Sequence, residues 1–136
     1  MLALHGAWAF LIARILLVAM FPFSAVDKLI HWDAAMQQCR SSFIPGAPWM
    51  LIAAMAVEIV APVCIVVGWQ APLAATVLAA FCAATALLYH RFWRAGDFWA
   101  RGESVDRDHF WDFTKNFGLA GGLLLVALGA GFAPAA

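Results

Sequence analysis

Apolar positions gather in four long runs, Ala7 to Val26, Pro48 to Gly68, Pro72 to Tyr89 and Phe113 to Phe132, separated by polar segments at 27–47 and 90–112. Each run is close to the roughly 20 residues that carry a helix across the hydrocarbon of a bilayer. Pro48 opens the second run and Pro72 the third, where a missing backbone N–H costs least. Gly68 and Trp69 close the second, so these two spans should form a tight hairpin. The pattern predicts an all-α integral membrane protein: a four-helix bundle occupying residues 1–136 as a single transmembrane domain. The stretch between the third and fourth helices is expected to lie at the interface as a short amphipathic segment.

Composition strengthens the membrane assignment. Of the 136 residues 65% are hydrophobic and 12% charged, against about half and a quarter in soluble domains. Eight basic and eight acidic side chains cancel, so composition gives no pull toward nucleic acid. The first run has no Lys or Arg before it and carries Arg14 inside it, which reads as a retained span rather than a cleaved signal. Apart from Arg14, every basic residue lies in or beside the two polar connections: Lys28, Arg40, Arg91, Arg94, Arg101, Arg107 and Lys115. The positive-inside rule therefore places both connections in the cytoplasm and both termini outside. Cys39, Cys64 and Cys82 form no CxxC pair and have no histidine at ligand spacing, so no redox dithiol or metal site is encoded locally.

Glu58, in the run MAVEIVAPV, is an ionisable group about ten residues into its helix, roughly 15 Å down. Insertion of a charge at that depth costs about 2.5 to 3.5 kcal/mol, so the carboxyl should be protonated, paired or in contact with internal water. Arg14, on the antiparallel first span, is the expected partner, its long side chain covering the remaining height. Arg14, Phe21 and Lys28 follow one another at seven-residue steps, a face that drifts by only about 40°. Lys115 and Asn116 at the start of the fourth helix and His90 at the end of the third should meet its cytoplasmic end. Two readings of these charges stand side by side: an Arg14–Glu58 pair that fixes helix register, and a polar pocket for an anion, a quinone headgroup or a proton path.

Gly118 and Gly122 in the fourth span, with Ala75, Ala79 and Ala83 in the third, suit close helix packing within the bundle or between copies. The segment YHRFWRAGDFWARGESVDRDHFWDF, 89 to 113, holds three Phe-Trp pairs, four arginines and two histidines. It fits an interfacial belt or a lid over a small-molecule site. Its histidines lie at helix ends and in loops rather than facing one another within helices, which disfavours haem ligation and leaves His90 as a hydrogen-bonding or proton-exchanging group.

Arg14, FPFSAVDKLIHW, Glu58, YHRFW and FTKNFGLAGGLLL together resemble the DoxX family of small bacterial membrane proteins, along essentially the whole chain. The resemblance implies a four-helix transmembrane bundle in the bacterial inner membrane. It makes Arg14, Lys28, Glu58, His90, Lys115 and Asn116 family-typical positions and candidate ligand-binding residues. It further implies a redox-associated subunit or accessory that binds a small anionic or quinone-type ligand, alongside a membrane redox partner or a second copy. Two other classes remain open: a subunit of a thiosulfate:quinone oxidoreductase, and a ligand-free assembly protein. No motif encodes a cofactor; quinone is the one the resemblance suggests.

Overall fold

A computed structural model of the protein describes residues 2–129, with side chains from residue 6 onward. Its helices, in order, are α1 (Leu2–Val18), α2 (Met20–Ile30), α3 (Trp32–Arg40), α4 (Ala47–Val67), α5 (Ala71–Tyr89) and α6 (Val105–Ala127). Among the described residues there is no strand.

Helices α1 and α2 form one rod, Gly6–Ile30. The interruption between them follows from Pro22, which has no N–H to donate to the carbonyl of Val18. Ala19, at the junction, keeps helical angles of φ −57° and ψ −33°. The first span therefore runs past its expected end at Val26 and takes Asp27 and Lys28 into the helix. A second internal proline, Pro62 in α4, withholds a donor from the carbonyl of Glu58 in the same way. Pro22 and Pro62 border a wholly apolar groove of about 250 Å³ where the rod meets α4.

His31, at φ −107° and ψ 48°, breaks the rod and starts α3 in a new direction. Ala35, Met36 and Cys39 of α3 pack with Ala47 and Leu51 of α4, while Trp32, Asp33, Gln37 and Arg40 stay exposed. The amphipathic helix is thus in the first polar connection, for which the residue pattern predicts no helix. Residues 90–104 contain no helix. Gly96 and Gly102, at φ +78° and +92°, turn the chain there in a region that side chains rarely enter. The expected hairpin between α4 and α5 is present, turning through Gly68 at φ 79° and Gln70 at φ 47°.

Gly6–Ile30, Ala47–Val67 and Ala71–Tyr89 are long and apolar enough to cross a membrane, yet only 17%, 33% and 39% of their most apolar stretches are buried. Helices so apolar and so uncovered need an apolar solvent. The expected fourth span is less complete. α6 begins at Val105, eight residues before the apolar run, and its first half carries Asp106, Arg107, Asp108, Asp112 and Lys115. Its apolar part starts at Phe117, and the expected continuation to Phe132 passes beyond the described residues. Among the described residues, three spans rather than four therefore meet the length and apolarity of a crossing helix.

Lipid competes for apolar side chains, so association here depends on close packing more than on burial. Ala74, Ala75, Leu78, Ala79 and Cys82 of α5 meet Ala120, Leu123 and Val126 of α6, with Val18, Phe21, Cys64 and Ile65 completing the core. Gly122 admits α1: a Cβ there would lie 3.0 Å from Cδ1 of Leu17. Gly118 and Gly121 have nothing comparable within 4 Å. The expected Gly118/Gly122 face is therefore half used inside the molecule.

Candidate functional site

Glu58 is 3% exposed, and its carboxylate is held from the rod. Lys28 Nζ donates to Oε1 at 2.8 Å and to Oε2 at 2.9 Å. It also donates to Ser24 Oγ at 2.6 Å, and that hydroxyl donates on to Glu58 Oε1 at 2.9 Å. Ser24 and Lys28 stand one helical turn apart, so α2 presents them on one face. The result is a closed, internally neutral tripod. Each hydrogen bond to a charged group in such a site is worth about 1.5 to 3 kcal/mol, against a desolvation cost of several kcal/mol per ion.

Arg14 is not the partner of Glu58. Ten residues separate it from Ser24, about 15 Å along a helix, and its Nε donates to the carbonyl of Phe10 at 3.3 Å on its own turn. The expectation assumed that the first helix ended near Val26 and that helix ends were level. In fact α2 continues to Ile30, and α3 packs beside the first turns of α4. Both shifts bring Lys28, not Arg14, opposite Glu58.

The tripod borders a cavity of about 580 Å³ enclosed by α2, α3, α4 and α5, with Asn116 reaching in from α6. Lys28, Glu58, His90 and Asn116 line it, so the structure brings together four of the six residues chosen from sequence. Apolar and small side chains such as Phe21, Ala54, Val57 and Phe81 form much of the remaining wall. Arg14 and Lys115 do not line it. Lys115 is exposed and paired with Asp112 Oδ1 at 2.7 Å, and the Asn116 Nδ2 donates to the backbone carbonyl of Asp112 at 2.9 Å. Asp112 Oδ2 lies 3.7 Å from Nδ1 of His90, a buried nitrogen with no hydrogen-bond partner in the structure. The His109 ring stands 5.8 Å from that of His90, tilted by 48°. Burial pushes the His90 imidazole below its ordinary 6.5; Asp112 opposes this, while His109 and Lys115 add to it.

The DoxX family model matches residues 9–91, which include Ser24, Lys28, Glu58, His90 and all but one of the cavity's residues. The chain belongs to the DoxX family. The match stops before FTKNFGLAGGLLL, one of the stretches that carry the resemblance. The inner membrane protein YphA of Escherichia coli (strain K12) is 29% identical to this DoxX protein over 118 residues, covering 87% of this chain and 80% of YphA. No solved structure matches the chain.

Sequence reasoning missed two groups in this DoxX chain. Ser24 escaped notice inside FPFSAVDKLIHW, although its i, i+4 spacing to Lys28 was readable. The second group organises the loop before α6. Asp106, 2% exposed, accepts from the backbone N–H groups of Ala95, Gly96 and Asp97 at 3.1, 2.7 and 3.0 Å. Asp97 returns the arrangement, accepting from Val105 and Asp106 N–H at 2.9 and 2.8 Å. Ser104 caps α6 by accepting from Arg107 N–H, and Arg107 in turn donates to the carbonyls of Ala100 and Gly102. The backbone N–H of Asp106, then that of Val105, hold the Asp97 carboxyl below its ordinary value. The signal for this was a serine followed by acids at a helix start. Phe92 anchors the loop, edge to face against Phe110 and Phe113 with centroids 5.3 and 5.5 Å apart, and leaves Trp99 90% exposed.

Proposed function

We propose that this inner-membrane DoxX protein holds a small neutral ring of the quinone type in the cavity beside Glu58 and Lys28, and serves as a subunit or accessory of a membrane redox assembly. The observation that carries the reading is the cavity itself. Its 580 Å³ falls within the roughly 300 to 1,000 Å³ of small-molecule sites, with the expected balance of apolar wall and a few convergent polar groups. An anionic ligand is less well served. Lys28 is already neutralised by Glu58, and Lys115, paired with Asp112, stands outside the cavity. The redox association draws on the family resemblance, and the cytoplasmic placement of the α3 side on the distribution of basic residues.

Purified protein in lipid nanodiscs, titrated with a short-tailed quinone, tests the binding step. Saturable binding that is lost in Ala54→Trp, which fills the cavity from α4, supports the proposal. Equal binding by the wild type and the filled variant overturns it. Copurification with a redox enzyme from native membranes is the corresponding expectation for the assembly.

A further inference from the structure

Between Arg91 and Asp108 the formal charges cancel, Arg91, Arg94, Arg101 and Arg107 against Asp97, Glu103, Asp106 and Asp108. The fold sorts them. The carboxylates of Asp97 and Asp106 are taken up by five backbone N–H groups, and Arg107 spends its guanidinium on the carbonyls of Ala100 and Gly102. Arg94 and Arg101 are exposed, and among the described residues their guanidiniums take part in no hydrogen bond or ion pair. Asp106 holds Ala95, next to Arg94, while its neighbour Arg107 holds the residues on either side of Arg101. Both arginines are thus pinned to the first turn of α6, on a platform that also carries Trp99 at 90% exposure and Trp93 at 55%. Arg91 Nη2 reaches the carbonyl of Ser41 at 3.5 Å, which ties the end of α3, with exposed Arg40, to the same edge. Against these bases stand two exposed acids, Glu103 and Asp108. The height of the platform follows from α5, whose 19 residues cover about 28 Å, close to the thickness of the hydrocarbon. Asp112 Oδ2 lies 3.7 Å from Nδ1 of His90, at the end of α5. Val105 precedes Asp112 by about two turns, so the platform rises roughly 10 Å past the hydrocarbon, alongside a headgroup layer about 5 to 8 Å deep.

We propose that this platform binds the headgroup of a phospholipid with net negative charge. Arg94 and Arg101 present planar guanidiniums, a shape that pairs with the two free oxygens of a phosphodiester. Trp93 and Trp99 supply the rings that favour the boundary between headgroup and chain. A zwitterionic phospholipid offers the same phosphate with its own cation beside it, and that cation competes with the arginines. The exchange between Asp97 and Asp106 is what frees the site: it removes two carboxylates from the surface by giving them backbone donors instead of arginine partners. None of these residues lines the cavity, so headgroup binding does not depend on a ligand there.

The test uses the full chain in mixed micelles holding equal amounts of phosphatidylglycerol and phosphatidylcholine with the same acyl chains. The protein is repurified and its retained lipid is counted by mass spectrometry. The wild type should keep phosphatidylglycerol over phosphatidylcholine by about 5-fold or more, the scale of one basic residue held beside an anionic surface. The double variant Arg94→Gln, Arg101→Gln should lose most of that preference. Both side chains are exposed and unbonded, so the platform beneath them stays folded. Glu103→Gln, which removes an exposed acid and touches neither arginine, should raise the preference. Equal retention of the two lipids by the wild type, or an undiminished preference in the double variant, overturns the proposal.

Discussion

Lys28 and Glu58 form a coupled pair whose strength can be measured against the pair that spacing suggested. A double-mutant cycle on Lys28→Met and Glu58→Gln, read by thermal unfolding in detergent, should give a coupling above about 1 kcal/mol. The corresponding cycle on Arg14→Met and Glu58→Gln should stay within about 0.5 kcal/mol. Glu58→Ala alone should cost about 3 kcal/mol, because it leaves the part-buried Lys28 ammonium without its carboxylate partner. At His90, another polar group of the cavity, the prediction concerns pH. The folded pKa of His90 is below its ordinary 6.5, so the unfolded chain binds more protons as pH falls past that value. Stability should be full above about 6.5 and decline as pH drops toward the folded pKa. Melting temperatures of the wild type at pH 7.5 and 5.5 should differ by more than those of His90→Gln. That Glu58 must be protonated, paired or in contact with internal water was legible from its depth alone. Which base it takes was not, because that depends on relative helix heights, and these are set by the continuation of α2 and the packing of α3 on α4.

Among the elements, α6 shows how a helix start and a helix crossing are each specified. Its start is fixed by the exchange between Asp97 and Asp106, whose carboxylates accept five backbone N–H groups across the turn. Asp106→Ala should leave three of these donors unserved and speed amide exchange throughout 95–106, while α4 and α5 exchange as before. Acid should act on the same place. Asp97 has a folded pKa below its ordinary 3.8, so its contribution is present above that value and is lost as pH falls through the folded one. The crossing of α6 with α1 depends on Gly122, where added volume meets Leu17. Gly122→Leu should cost about 1 to 3 kcal/mol by overpacking, and Gly121→Leu, pointing where nothing lies within 4 Å, should cost little. The small-residue spacing in this helix was plain in the sequence. Its division into one packed and two unpacked glycines was not, since spacing sets the face of a helix but not which neighbour arrives there.

At the scale of the whole molecule, the membrane character and the α4–α5 hairpin were readable because both follow from local patterns, apolar length and the residues that open and close a helix. The amphipathic helix in the first connection was not. Both connections mix aromatic and charged residues, and only the glycines and the Asp97–Asp106 exchange exclude a helix from the second. Orientation is a separate property, carried by charge rather than by packing. Arg40 lies at the end of α3, and Arg91, Arg94 and Arg101 follow α5, whereas the Trp69–Gln70 turn between α4 and α5 has no basic residue within ten positions on either side. Each Arg or Lys held beside the cytoplasmic leaflet is favoured by about 1 kcal/mol, so several together outweigh any preference of the turn. The outcome expected in intact cells is therefore specific. In a background with Cys39, Cys64 and Cys82 changed to Ala, a cysteine placed at Gln70 should react with a membrane-impermeant maleimide. One placed at Arg94 should react only after the membrane is opened. Labelling of Arg94→Cys in intact cells would invert the assignment and move the α3 side of the cavity to the outer face.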